Sequence, residues 1–170
     1  DLSSLTNGYE MFAICSNLKT FISDLSNLMD GTSMFDYCSN LNTFYSDLSN
    51  LTEGNEMFYN TNLTSFNSNL TNLSYAYEMF ASCSQLTSFN SNLSSLTDGR
   101  NMFNWCKLDA PSVANIIYFI PQRDSKPTSS NEIGSIKIGI GISNTDAEKQ
   151  AFAQECYCDS WQDLLNEFDS

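Results

Sequence analysis

Six cysteines and no histidine set the first chemical question this chain raises. Cys15, Cys38, Cys83 and Cys106 each close the same short pattern, M-F-x-x-C. Such a row has three possible uses. The thiols can be buried as small apolar groups. They can form the disulfides Cys15–Cys38 and Cys83–Cys106, although parallel side chains strain such bridges. They can bind a metal, although a line of thiols makes a poor tetrahedron. Reduced thiols are the expectation. Cys156 and Cys158 form C-x-C rather than the redox C-x-x-C, with no second pair to complete a metal site.

The carboxylates offer little more. Asp24 and Asp47 share a repeating position that later becomes Asn69 and Asn92. A hard cation needs about six to eight converging oxygens, so two carboxylates fit a solvated or turn-capping role better. Glu10, Glu56 and Glu78 suggest the paired acids of a glycosidase, but they recur with the repeat and read as structural. Without histidine there is no Ser-His-Asp triad, no imidazole metal site and no histidine proton shuttle. "GIGIS" lacks the spacing of a phosphate-binding loop. The Asn-x-Ser/Thr triplets at Asn50, Asn62, Asn69, Asn72 and Asn92 follow from the composition of the repeat. No catalytic set, metal or cofactor is expected, and the chain reads as a non-enzyme.

Charge narrows the partners. Twenty Asp and Glu stand against 7 Lys and Arg, a net charge of −13. Nucleic acid and anionic membrane both call for a basic footprint, so neither is expected. No stretch approaches the ~20 apolar residues of a membrane span, and no membrane insertion is expected. Charged residues make up 16% and aromatics 13%, so polarity comes from Ser, Asn and Thr while enough apolar material remains for a core. The chain opens inside a pattern without an initiator Met, which suggests a fragment or a processed product.

These residues are positioned by a repeat. Phe12, Phe35, Phe58, Phe80 and Phe103 each follow a Met, at steps of 23, 23, 22 and 23 residues. Four further ladders keep step: Leu18/41/63/86, Phe21/44/66/89, Leu25/48/70/93 and Leu28/51/73/96. The third unit is one residue short, "MFYNTNL" against "MFDYCSNL", and lacks the Cys. One unit has too few apolar side chains to offset the entropy of ordering itself, so only a stacked array is stable. L-x-x-F-x-S is the predicted strand, with Phe21 inward and Thr20 and Ile22 outward. The strands should stack in parallel as a sheet along one face. The remainder, through Met-Phe, should be turns or short helical pieces. Gly8, Gly31, Gly54 and Gly99 mark a bend, but Ala76 replaces the glycine once, so close approach of backbones explains them better than a positive φ.

The unit C-x-x-L-x-x-F-x-S-[DN]-L-[ST]-x-L-x-x-G-x-x-M-F-x-x resembles the BspA-like leucine-rich repeats of bacterial surface proteins. Met stands here where that family commonly has Ala, Phe often stands for Ile, and the family's Pro is absent. The resemblance covers residues 1–108 of 170. It implies a leucine-rich-repeat solenoid of 23-residue coils with a parallel sheet on one face. It also implies an exported binding or adhesion module, extracellular or at the cell surface, recognising a protein or glycan on a host or neighbouring cell. Similar Asn- and Ser-rich repeats in phage-encoded proteins make a virion component, a tail or receptor-binding protein, the alternative.

Variation between units points to the exposed surface. The outward strand positions run Thr20/Ile22, Thr43/Tyr45, Ser65/Asn67 and Ser88/Asn90, and these eight are the candidate ligand-binding residues. Few charges lie on this row, which suits a neutral ligand. A second variable edge carries Tyr9, Tyr37, Tyr77 and Trp105. Both the row and the edge also fit plain drift on a solvated surface.

The pattern stops at Leu108. Residues 109–170 are read as a helix–strand–helix cap, making the whole an α/β chain of two parts. "DAPSVANIIYFIPQ" is the first helix, with Asp109 as its cap and Pro111 in its first turn. The Ile alternation of "SIKIGIGI" gives the strand, and Thr145 caps a further helix. The opposite, N-terminal end of the solenoid is expected to be covered by missing repeats or a partner chain.

Overall fold

The computed structural model describes residues 1–109, 111–112 and 115–116. Each repeat contributes one very short strand: β1 (Thr20–Ile22), β2 (Thr43–Tyr45), β3 (Ser65–Phe66) and β4 (Ser88–Phe89). They pair in parallel at one-repeat offset, Phe21 opposite Phe44 and Phe66 opposite Phe89. A second line of parallel bridges joins Asn7, Asp30, Glu53, Tyr75 and Asp98 through five successive units. Neighbouring units therefore lie one on the next in the same direction.

The sheet departs from expectation. Instead of one continuous sheet there are two pairs, β1–β2 and β3–β4. The break falls at the third unit, whose missing residue lies just before β3. There Asn62 N–H reaches Leu41 O, whereas Asn42 and Thr43 both donate to Lys19 O one unit earlier. Side-chain stacking bridges the gap, with the Phe44 and Phe66 rings 5.9 Å apart and nearly parallel.

The five predicted ladders are the core. Phe12, Phe35, Phe58, Phe80 and Phe103 stack ring on ring at 5.4 to 5.6 Å. Phe21, Phe44, Phe66 and Phe89 form a second stack, and the two meet edge-to-face, as between Phe21 and Phe35 at 4.7 Å. Both arrangements suit the ring quadrupole. Leu25, Leu28, Leu41, Leu48 and their rung-mates fill the rest. The first unit is the exception: Met11 is 43% exposed, whereas Met34, Met57, Met79 and Met102 are fully buried. Cys15 is likewise exposed, and Leu2, Leu5, Phe12 and Leu18 are only partly covered.

The turns hold a feature the sequence did not suggest. Ten non-glycine residues have positive φ, two per unit: Glu10, Ser33, Glu56, Glu78 and Asn101, then Ile14, Tyr37, Asn60, Ser82 and Trp105. Among the described glycines none does. The left-handed residues let alternate N–H groups aim at the next unit. Gly8, Glu10, Phe12 and Ile14 donate to Asp30, Thr32, Met34 and Asp36 at 2.7 to 3.1 Å. Left-handed φ is unfavourable for L-residues, and in the first four units these inter-unit bonds hold it. The glycines serve space instead. A Cβ on Gly8 would lie 2.8 Å from Met34 Sδ and 3.3 Å from Leu28 Cδ1. The close approach is thus by side chains of the next unit rather than by backbone, and a flexible thioether can yield to the Cβ of Ala76.

Asp109 caps the start of the following helix, accepting from Ser112 N–H at 3.0 Å, with Pro111 and Ser112 in its first turn. The Ser112 hydroxyl oxygen accepts Phe89 N–H at 2.8 Å, Asn115 Nδ2 donates to Ser91 O at 3.1 Å, and Ile116 is fully buried. The first helical turns thus seal the edge of β4. The expected strand of "SIKIGIGI", the helix after Thr145, and Cys156 and Cys158 lie outside the described residues.

Candidate functional site

The strand row is exposed as its alternation requires. Ile22 is 73% and Tyr45 67% exposed, in register on β1 and β2. Thr20, Thr43, Ser65, Asn67 and Asn90 are exposed and Ser88 is half-buried. Three of the eight share a groove. Ile22, Tyr45 and Asn67 line an open groove of about 540 Å³, and the other five lie outside it. The groove continues onto Asp24, Asp47 and Asn69, so the apolar row and the acidic row form one surface. Few charges lie on the strand row itself, but each of these two strands ends two residues before an aspartate, and Asp24 and Asp47 both line the groove beside it.

Each member of the acidic row closes a turn. Asp24 Oδ1 accepts Ser26 N–H at 2.9 Å, and Asp47 Oδ1 accepts Ser49 N–H at 2.9 Å. Asn69 and Asn92 accept from Thr71 N–H and Ser94 N–H at 3.1 and 2.8 Å. The bonds from Ser26 hold the Asp24 carboxyl below its ordinary range, so it is charged at neutral pH. Among the described residues no three Cys, Asp or Glu side chains gather as a metal site.

The cysteines form a hydrogen-bonded ladder. Cys38, Cys83 and Cys106 are free and buried, and each thiol donates to the carbonyl of the Phe one unit back, Phe12, Phe58 or Phe80, at 3.0 to 3.1 Å. In the short unit Thr61 takes the rung, buried and 3.2 Å from Cys83 Sγ. The shared M-F-x-x spacing was the signal for it. Burial raises Cys38 and Cys83 from 9.0 to about 11. Iodoacetamide at neutral pH should therefore modify Cys15 and spare Cys38, Cys83 and Cys106 until the chain unfolds, as read by peptide mass spectrometry. The sign for stability follows. The folded state keeps these protons between pH 9 and about 11 while the unfolded chain releases them, so stability falls as pH rises through that window. Rapid native modification of Cys38 or Cys83 would contradict this burial.

Two further features escaped the sequence reading. Asn27, Asn50 and Asn72 each donate to a carbonyl one unit back, Ser3, Ser26 and Ser49, at 2.7 Å. Their signal was the Asn that precedes the last Leu in three successive units, where the first and last have Ser4 and Ser95. Asp36 has a buried Oδ1 without a hydrogen-bond partner, and its carboxyl is raised by burial and then by Glu56. The three repeat glutamates do not pair as acid and base: Glu56 accepts from Ser33 at 3.4 Å, Glu78 accepts from Asn101 at 3.3 Å, and Glu10 is exposed. On the second variable edge, Tyr37 packs on Tyr59 at 5.4 Å and Arg100 lies 5.5 Å over Tyr77. Tyr9 and Trp105 stand exposed.

Compared with known proteins, the chain matches no family model, no curated protein and no solved structure.

Proposed function

We propose that this chain is a leucine-rich-repeat solenoid of BspA-like kind. In this reading it is a non-catalytic binding module at a cell surface or outside the cell, and it holds another macromolecule against its strand face. The observation that carries the reading is the pairing of Ile22 and Tyr45, two large apolar side chains left open to water in register on a rigid stack. A folded chain gains nothing from such exposure, whereas aromatic and aliphatic anchors dominate binding at interfaces. Supporting features are the repeat itself, the parallel one-repeat pairing, and buried ladders that vary far less than the outward positions.

The test is a panel of surface proteins and glycans probed with the chain and with its Ile22→Ala/Tyr45→Ala form. Binding should fall at least tenfold in the double variant, on the order of 1.4 kcal/mol or more. Tyr45→Ala should cost more than Ser65→Ala. A ligand held equally well by the double variant would move the site to the edge of Tyr9, Tyr37, Tyr77 and Trp105.

A further inference from the structure

We propose that the groove over β1 and β2 receives a cationic peptide segment, one that sets a Lys or Arg beside an aliphatic or aromatic side chain. The inference rests on the strand face being the binding face and adds the chemistry of the partner.

Asp24 and Asp47 carry a charge that the fold does not require. The turn after each strand needs a side-chain oxygen to accept an N–H two residues on, and an amide also takes the hydroxyl that accompanies it: Ser49 Oγ donates to Asp47 Oδ2 at 3.1 Å and Thr71 Oγ1 donates to Asn69 Oδ1 at 2.8 Å. Asn69 and Asn92 supply it in the third and fourth units as well as Asp24 and Asp47 do in the first and second. The negative charge at Asp24 and Asp47 therefore exceeds what the turn demands. It also keeps company. Where the turn residue is Asp, the outward strand residue is Ile22 or Tyr45; where it is Asn, the outward residue is Asn67 or Asn90. Apolar surface and charge change together, at two sequence positions, between the same two pairs of units.

The groove joins these four side chains in one surface, and none of the residues lining it is basic. Parallel strands lie about 4.8 Å apart, so the two anchors stand side by side and the two aspartates repeat at the same interval. One long cationic side chain can lie along the anchors with its stem on Ile22 and Tyr45 and its head between the carboxylates. A neutral glycan has less use for this arrangement, because the amides of Asn67 and Asn69 would serve hydroxyls equally well. Electrostatic complementarity of this kind also speeds encounter and makes it salt-dependent.

The experiment measures fluorescence anisotropy of a labelled peptide of alternating Lys and Leu, with a Glu-and-Leu peptide as counterpart, against the whole chain. Asp24→Asn/Asp47→Asn is the test variant, and it preserves both turns as Asn69 and Asn92 do. Asp1→Asn/Glu53→Gln removes the same charge elsewhere, from two exposed positions. The Lys peptide should bind saturably, weaken with added salt, and lose about tenfold or more in the groove variant against twofold or less in the control. The Glu peptide should not bind. Equal losses in the two variants mean attraction to net charge alone and overturn the proposal. So does a glycan ligand whose affinity the groove variant leaves unchanged. Loss on Ile22→Ser/Tyr45→Ser without loss on Asp24→Asn/Asp47→Asn overturns the cationic partner but leaves the strand face as the site. Loss on neither overturns both readings.

Discussion

Replacing Leu41 with Asp should abolish the single cooperative unfolding transition of the stack. Leu41 is fully buried, its N–H donates to Cys38 O at 2.8 Å, and its carbonyl accepts Asn62 N–H at 3.0 Å. Its rung-mates on either side are Leu18 and Leu63. A carboxylate there would lose its hydration among the apolar side chains of the stack, and it would ionise only by disrupting its neighbours. The expected loss exceeds about 4 kcal/mol, a large part of the ~5–15 kcal/mol that holds a domain. In a linear array the damage also uncouples the units on either side. Leu18→Asp supplies the contrast. Leu18 holds the same rung but is only partly covered, so its charge keeps some water and should cost about 1–2 kcal/mol. Urea unfolding followed by circular dichroism compares the two. A loss under about 1 kcal/mol at Leu41 would mean that the ladders do not act as one core.

Why the ladders were legible while much around them was not follows from what each feature needs. A buried Phe or Leu between two copies of itself tolerates few alternatives, so Phe35, Phe58 and Phe80 repeat almost without change. The backbone turns have no such signature. A left-handed φ advertises itself when glycine fills it, but here the stack imposes it on Glu56, Tyr37 and even Ile14 through bonds to the next unit. The glycines that drew attention serve methionine packing instead. Thr61 was hidden because the short third unit loses a residue beside it, and the same loss divides the sheet between β2 and β3. The groove was legible only in pieces. Alternation exposed Ile22 and Tyr45, and the Asp-to-Asn change marked Asp24 and Asp47, but a period of two says nothing about what lies beyond the strand end. Strands of two or three residues made that omission decisive: the turn aspartates reach the same surface as the strand residues.

The end of the stack offers the second large effect. Removing residues 109–170 should leave a chain that aggregates or frays from its last units. The loss is specific. Ser112 no longer receives Phe89 N–H, Asn115 no longer reaches Ser91 O, Asp109 N–H no longer meets Thr87 O, and Ile116 leaves the core. Phe89, Leu93 and Phe103 would lose cover on that side, and a bared strand edge invites pairing with other chains. Ser112→Ala takes one step in that direction. It orphans a buried N–H and should cost about 1–3 kcal/mol without exposing the aromatic stack. Hydrogen exchange separates the effects by position. In the truncated chain the amides of Leu96 and Met102 should exchange far faster than in the whole protein, while Phe35 and Tyr37, held between units two and three, should change less. If residues 1–108 alone remain monomeric on a sizing column and melt at the temperature of the whole chain, the helix that begins at Asp109 does not seal the array. The bonds from Ser112 and Asn115 would then be incidental to its stability.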